Sequence, residues 1–247
     1  MAWVTKTSDE QYTPEPAPRE YTKQEKAANW WHYNKIIVLV VIIIAAVVAW
    51  IVHDMMSHVD PDLEIGYVGA QSLPTDTVEA LQDALTPYCT DRNGDGQVVV
   101  QVNQYTVSFD GDNSTTDPYN QMAGLTKLSA DMAAGSDMYM YLLADPEGFQ
   151  TDAQVLQYLD GTVPPEGETG DWQKMVYRWT DCPVLTGLDL GNYTLYTDME
   201  GSSQELLGTL YLGLRGNWDE EVPQSYTDNL AIWNALTAGA QSTVAEG

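Results

Sequence analysis

The sequence predicts an α/β domain, its mainly parallel sheet covered by helices, behind a single membrane-crossing helix. Three observations predict it. One long apolar run lies near the start, strand and helix patterns alternate after it, and the charge is divided very unevenly about it. From Ile36 to Val52 the chain reads IIVLVVIIIAAVVAWIV, without a charged or strongly polar side chain. At about 1.5 Å per residue this stretch spans roughly 25 Å of helix, close to the hydrocarbon thickness of a bilayer. Trp30, Trp31 and Tyr33 before it and Trp50 at its end suit the two headgroup interfaces, and Lys35 can extend to the headgroups. The polar segment ahead of the run is longer than the n-region of a cleaved signal peptide, so residues 36–53 read as an uncleaved signal anchor.

The basic residues orient this anchor. Lys6, Arg19, Lys23, Lys26 and Lys35 precede it, half of the 10 in the protein, and the next is Arg92. The positive-inside rule therefore places residues 1–35 in the cytoplasm as a flexible, proline-containing tail. The rest lies outside: a juxtamembrane linker at 54–62, an acidic domain at 63–238 and a loose tail at 239–247. The protein has 36 acidic residues and a net charge of −26, and the five acids ahead of the anchor cancel the five basic residues there. All of the excess charge thus falls on the exported part. Such a surface repels phosphate backbones and excludes nucleic-acid binding through a basic face.

Within the exported part, Leu63–Val68 reads as a strand, and Pro74 opens a helix with Val78, Leu81 and Leu85 on one face. Val98–Val107 is a second strand. Met122, Leu125, Leu128 and Met132 keep helical spacing, with Gly135 as the cap. Met138–Leu143 is a third strand, followed by a helix around Ala153–Leu159. Strand–helix repetition of this kind predicts parallel pairing. Beyond it, Gly161–Asp171 is a loop, Leu206–Leu214 suits a strand or a short buried helix, and Tyr226–Leu236 is an amphipathic helix.

The stretch LSADMAAGSDMYMYLLADPEGF, with Leu128, Met132, Gly135, Asp137, Asp145 and Phe149, resembles a stretch of extracellular solute-binding proteins. There a helix ends at a small-residue-Gly-Asp junction and feeds an apolar strand and an acidic loop. The resemblance covers residues 63–159 and implies one lobe of that fold. The exported part is short for two lobes, and the helical anchor stands where a lipid-modified cysteine is usual. The whole chain resembles short membrane-anchored proteins of Gram-positive bacteria.

The sharpest local motif is DRNGDGQV, from Asp91 to Val98. Asp91, Asn93 and Asp95 occupy positions 1, 3 and 5 of a calcium loop, Gly96 supplies the turn, and Gln97 offers its backbone carbonyl. Alternate side chains of a tight loop converge on one hard cation, which is why Ca2+ needs that spacing. The start resembles EF-hand and dockerin loops. Position 12 is Val102 rather than a bidentate acid, so an affinity of roughly 0.1–1 mM is expected. The same Asn-Gly and Asp-Gly pairs also suit a plain turn. Asp110, Asp112 and Asn113 form a second acidic turn, read as a solvated loop.

The three histidines are His32, His53 and His58, with none from Val59 onward, so Ser-His-Asp catalysis, Cys-His catalysis and His-type zinc sites are excluded from the acidic domain. Cys89 and Cys182 can form a disulfide outside the cell or stand as two buried thiols. No catalytic residues are assigned. The expected function is a membrane-anchored binding or interaction module for an extracellular ligand or an envelope protein, not an enzyme, with calcium fixing one loop. Two rival readings are a hydrolase using paired carboxylates, with Asp189, Asp198 and Glu205 as candidates, and a structural subunit packing through Ala45 and Ala49. Trp172, Trp179, Trp218 and Trp233 suit core packing or sugar stacking.

Overall fold

The computed structural model describes residues 20–57, 60–109, 118–133, 137–195, 199–218 and 221–244. The chain divides into two units, Met1–His58 and Val59–Gly247.

The first unit contains α1, Lys23–Ser57. Its start is set by a capping box. Glu25 N–H donates to Thr22 Oγ1 at 3.3 Å, and Thr22 N–H donates back to Glu25 Oε2 at 2.9 Å. This cap, invisible to an apolar-run criterion, starts the helix well before Ile36, so residues 23–35 are helical rather than an unstructured tail. Side chains from Ile36 to Val52 are exposed on every face of the helix. Lys23–His53 is long and apolar enough to cross a membrane, with a mean hydropathy of 3.2 in its most apolar stretch.

The second unit carries β1 (Leu63–Gly69), α2 (Thr75–Leu85), β2 (Val100–Thr106), α3 (Pro118–Ala133), β3 (Met140–Leu143) and α4 (Pro146–Ala153). There follow β4 (Val176–Arg178), α5 (Pro183–Thr186), the hairpin β5–β6 (Asn192–Leu195 and Met199–Ser202), α6 (Ser203–Leu207), β7 (Tyr211–Leu214) and α7 (Gln224–Leu236). The five-stranded sheet has the order β2-β1-β3-β7-β4. β1 pairs parallel with both β2 and β3, with Ile65 opposite Val102 and Met140, whereas β7 runs antiparallel to β3 and β4. The fold is therefore α/β with a mixed, mainly parallel sheet.

Alternation along the strands divides the core. Leu63, Ile65 and Tyr67 of β1, with Met140 and Leu142 of β3, face α2, α7, Trp179 and Leu207. Val68, Tyr105, Tyr141 and Leu143 face the other way, onto Leu128 of α3 and Phe149 of α4. Helices thus cover both faces, and each buried branched or aromatic side chain is worth about 1.5–3 kcal/mol of transfer free energy.

Three expectations change. The helix placed around Ala153–Leu159 lies earlier. Asp145 caps it by accepting from Gly148 N–H, Pro146 fills its first position, and Gln154 ends it in the left-handed region at φ 53°. Leu156 instead forms an isolated bridge with Arg215, just past the end of β7, and Gln157 N–H donates to the Leu214 carbonyl at 3.0 Å. The segment Leu206–Leu214 is the end of a helix and then a strand, broken by a turn in which Leu210 N–H bonds Leu207 O. Of the tail expected to be loose, the described residues Ser242, Thr243 and Val244 are held. Ser242 Oγ donates to the Val176 carbonyl, Thr243 bonds Asp181, and Val244 is buried. Gly135 and the turn containing Asp110, Asp112 and Asn113 lie outside the described residues.

Candidate functional site

The chain order creates a reversal. From β1 the connection through α2 leads to β2 on one side, and the connection through α3 returns to β3 on the other side of β1. Open α/β sheets place ligands outside the carboxyl ends of strands at such a point, because the connections diverge there and leave a crevice. A crevice of about 370 Å3 lies at that position. Its lining comes from Tyr67 of β1, the 70–74 connection, Ala144 after β3, Tyr193 and Leu195 of the hairpin, and Leu206, Thr209 and Leu210. A smaller hollow of about 90 Å3 shares Ala70 and Ala144 and reaches Phe109 and Asp145.

The walls are fixed by local bonds. Tyr67 Oη donates to the Gln71 carbonyl at 2.7 Å, and Leu73 N–H donates to Gln104 Oε1 at 2.7 Å, which ties the β1–α2 connection to β2. Burial pushes the Tyr67 phenol above its usual range, so it remains a donor. A Cβ at Gly69 would lie 2.5 Å from Tyr67 Oη, and a Cβ at Gly201 2.5 Å from Tyr193 Cζ. Each crevice tyrosine therefore lies across a glycine that has no side chain to displace it. The hairpin is tied down by Thr194 N–H donating to Asp76 Oδ2 at 3.1 Å.

The loop singled out for calcium lies before β2, at the amino end of the strands. Gly94 and Gly96 have φ values of 74° and 86°, conformations that glycine adopts without strain, and they fold Asp91, Asn93 and Asp95 around one turn. Asp91 accepts from Gly94 and Gly96 N–H at 2.6 and 2.9 Å, Asn93 Oδ1 from Asp95 N–H at 2.8 Å, and Asp95 Oδ1 from Gln97 N–H at 2.8 Å. Each of these oxygens keeps a lone pair beyond those bonds. Val102, position 12 of the motif, is a buried β2 residue and supplies no oxygen. Among the described residues no three acidic, histidine or cysteine side chains converge as a metal-binding group.

Two residues that sequence reasoning missed hold this end together. Asp62, assigned to the linker, is 1 % exposed. Its carboxylate accepts from Arg92 N–H at 2.6 Å and from Val99 N–H at 2.9 Å, clamping both ends of the loop. Arg92 donates to the Asp62 carbonyl at 2.8 Å and pairs with Asp137 and Asp228 at 3.2 and 3.5 Å. The signal available in the sequence was an isolated arginine inside an acidic run.

The other basic side chains of the second unit are also engaged. Lys174 pairs with Asp171, and Lys127, Arg178 and Arg215 lie over the rings of Tyr105, Tyr211 and Tyr139. Cys89 and Cys182 are free thiols rather than a disulfide, each donating to a carbonyl four residues earlier. Burial pushes them up to about 11 and about 12, so neither is a ready nucleophile at neutral pH.

Of the candidate acids, Asp189 and Glu205 are exposed and Asp198 lies outside the described residues. Among the described residues, the carboxyl with a raised pKa is Glu64, displaced by burial and then by Asp137; it accepts from Asn103 Nδ2 at 3.0 Å and lines neither hollow. Trp179 and Trp233 are core residues, and Trp218 is 40 % exposed with its ring N–H on the Pro164 carbonyl. No family model, curated protein or solved structure matches this chain.

Proposed function

We propose that the chain is a membrane-tethered binding module whose acidic α/β domain faces outward and takes a ligand at the carboxyl ends of β1 and β3. The observation that carries this is the open crevice at the reversal in strand order, where the backbone is braced but the space is left unfilled. The reading also draws on the similarity of residues 63–159 to one lobe of extracellular solute-binding proteins. In that stretch Asp137 precedes β3 and Asp145 follows it, at the two ends of the apolar strand. Its orientation rests on the five basic residues ahead of the apolar run.

Calcium belongs to this proposal as a brace. Asp91, Asn93, Asp95 and the Gln97 carbonyl would hold it, and its charge would stiffen the turn that Asp62 and Arg92 already anchor.

Two experiments test the proposal. The full chain in lipid nanodiscs, titrated with phenol as a neutral probe, should show NMR shifts concentrated on Tyr67, Ser72, Tyr193 and Leu195. Shifts scattered over the domain would remove the crevice as its site. In whole cells, a Thr126→Cys variant should react with a membrane-impermeant maleimide above the wild-type background. Reaction only after lysis would reverse the orientation.

A further inference from the structure

The crevice has a chemical character that its location alone does not require. The protein carries 36 acidic side chains, yet among the described residues that line this hollow none is Asp, Glu, Lys or Arg. Its larger side chains are aromatic and aliphatic, Tyr67, Tyr193, Leu195, Leu206 and Leu210, and its polar side chains besides the tyrosines are the uncharged Gln71, Ser72 and Thr209. The Ser72, Thr209 and Tyr67 hydroxyls are already engaged, which leaves the neutral Gln71 amide as a polar group of the wall. Thr209 donates to the Leu206 carbonyl at 2.7 Å, Tyr67 to the Gln71 carbonyl, and Ser72 Oγ is 3.4 Å from Thr106 Oγ1.

Three acids adjoin the lining in sequence: Asp145, which accepts from Gly148 N–H as the cap of α4, Glu205, which is exposed, and Asp76, in the first turn of α2. The Asp76 carboxylate is spent on the Thr194 N–H of the hairpin, where it also places negative charge at the helix end that would otherwise attract an anion. At the rim, Leu195 stays 38 % exposed. Both tyrosine rings are seated across glycines, so their apolar surfaces are held in place before anything binds.

Resting on the binding reading above, we propose that the crevice selects a small uncharged ligand with an apolar or aromatic body, and rejects charged analogues of the same shape. An anion would enter a strongly negative domain with no basic side chain in the described lining to receive it. A cation is drawn by the same negative field and by the tyrosine faces, but inside the crevice it would shed water against leucine side chains with no described carboxylate in contact to replace it. A neutral ring loses neither interaction and gains contact with both tyrosines.

The test uses one ring with three charges: N-acetylphenylalaninamide (neutral), N-acetylphenylalanine (anionic) and phenylalaninamide (largely cationic slightly below neutral pH). Each is titrated by saturation-transfer NMR against the full chain in lipid nanodiscs, with empty discs as the blank. The neutral amide should bind at least about tenfold tighter than either charged analogue. Leu195→Asp should weaken it about fivefold or more, and Leu195→Lys should shift preference toward the anion. If a charged analogue binds wild type as well as the amide does, and Leu195→Asp still alters that binding, the crevice stands and the neutrality inference falls. If none of the three binds, or binding ignores both Leu195 variants, the crevice itself is lost as the site.

Discussion

The two ends of the parallel strands are built on opposite plans. At the amino end, Asp62, Arg92, Asp137 and Asp228 form a polar knot in which a buried carboxylate closes the loop before β2 and one guanidinium joins the connections on either side. At the carboxyl end the described lining of the larger crevice carries no charged side chain and the space stays open. The same sheet supports both. The difference teaches that polar satisfaction closes a strand end, whereas rigid apolar walls with few spare donors leave one available.

This contrast can be broken from its strong side first. Asp62→Ala removes the acceptor for two backbone N–H groups at once and should cost about 3 kcal/mol of unfolding free energy in urea titrations of the full chain. A loss near zero would mean that the clamp is idle. Arg92→Met keeps the packing stem but deletes two partly exposed ion pairs and a bond to the Asp62 carbonyl, so a loss of about 1 kcal/mol is expected, shrinking with added salt.

Calcium at about 10 mM, well above the expected affinity, should raise Tm by a few degrees through mass action. The increase should vanish in Asp91→Ala and Asp95→Ala; an unchanged Tm in wild type removes the brace.

Glu64 sharpens the comparison by pH. Burial and Asp137 raise its folded pKa above the usual 4.5. Well below 4.5 both folded and unfolded chains hold the proton. As pH rises through 4.5 toward the folded value, the unfolded chain ionises first and stability falls. Glu64→Gln should therefore match wild type near pH 3 and melt higher at pH 7; a lower melting point at pH 7 would contradict the assignment.

The smallest effect belongs to the open end. Leu195→Asp should change unfolding free energy by no more than about 0.5 kcal/mol, since that side chain is partly exposed on a hairpin rim. A large loss would mean that the rim is structural.

What the sequence made legible was local. The apolar run of α1, the β1–α2–β2–α3–β3 succession and the amphipathic α7 each announce themselves within a few turns of chain, because periodicity and punctuation lie in neighbouring residues. The misplaced α4 shows the limit. A helix is expected around Ala153–Leu159, but Asp145-Pro146 sets the start earlier, and Leu156 bridges Arg215 just past the end of β7.

The antiparallel β7, the clamp of Asp62 on residues 92 and 99, and the crevice itself depend on partners dozens of positions away. No window on the chain contains them. The calcium-type spacing was legible as a turn, and the glycine conformations agree with it, but the residue that anchors that turn lay in a stretch that looked like linker.

On the outward orientation proposed above, the engagement of all five basic side chains of the second unit has a consequence at the scale of the envelope. With Arg92, Lys127, Lys174, Arg178 and Arg215 each turned to a carboxylate or a ring of their own chain, the excess acid meets the medium with little basic counterweight. Neighbouring copies displayed side by side would then keep their distance as like-charged colloids do, over a range of about 8 Å at physiological salt that lengthens on dilution. Their crowding density would be governed by the ionic strength of the surroundings.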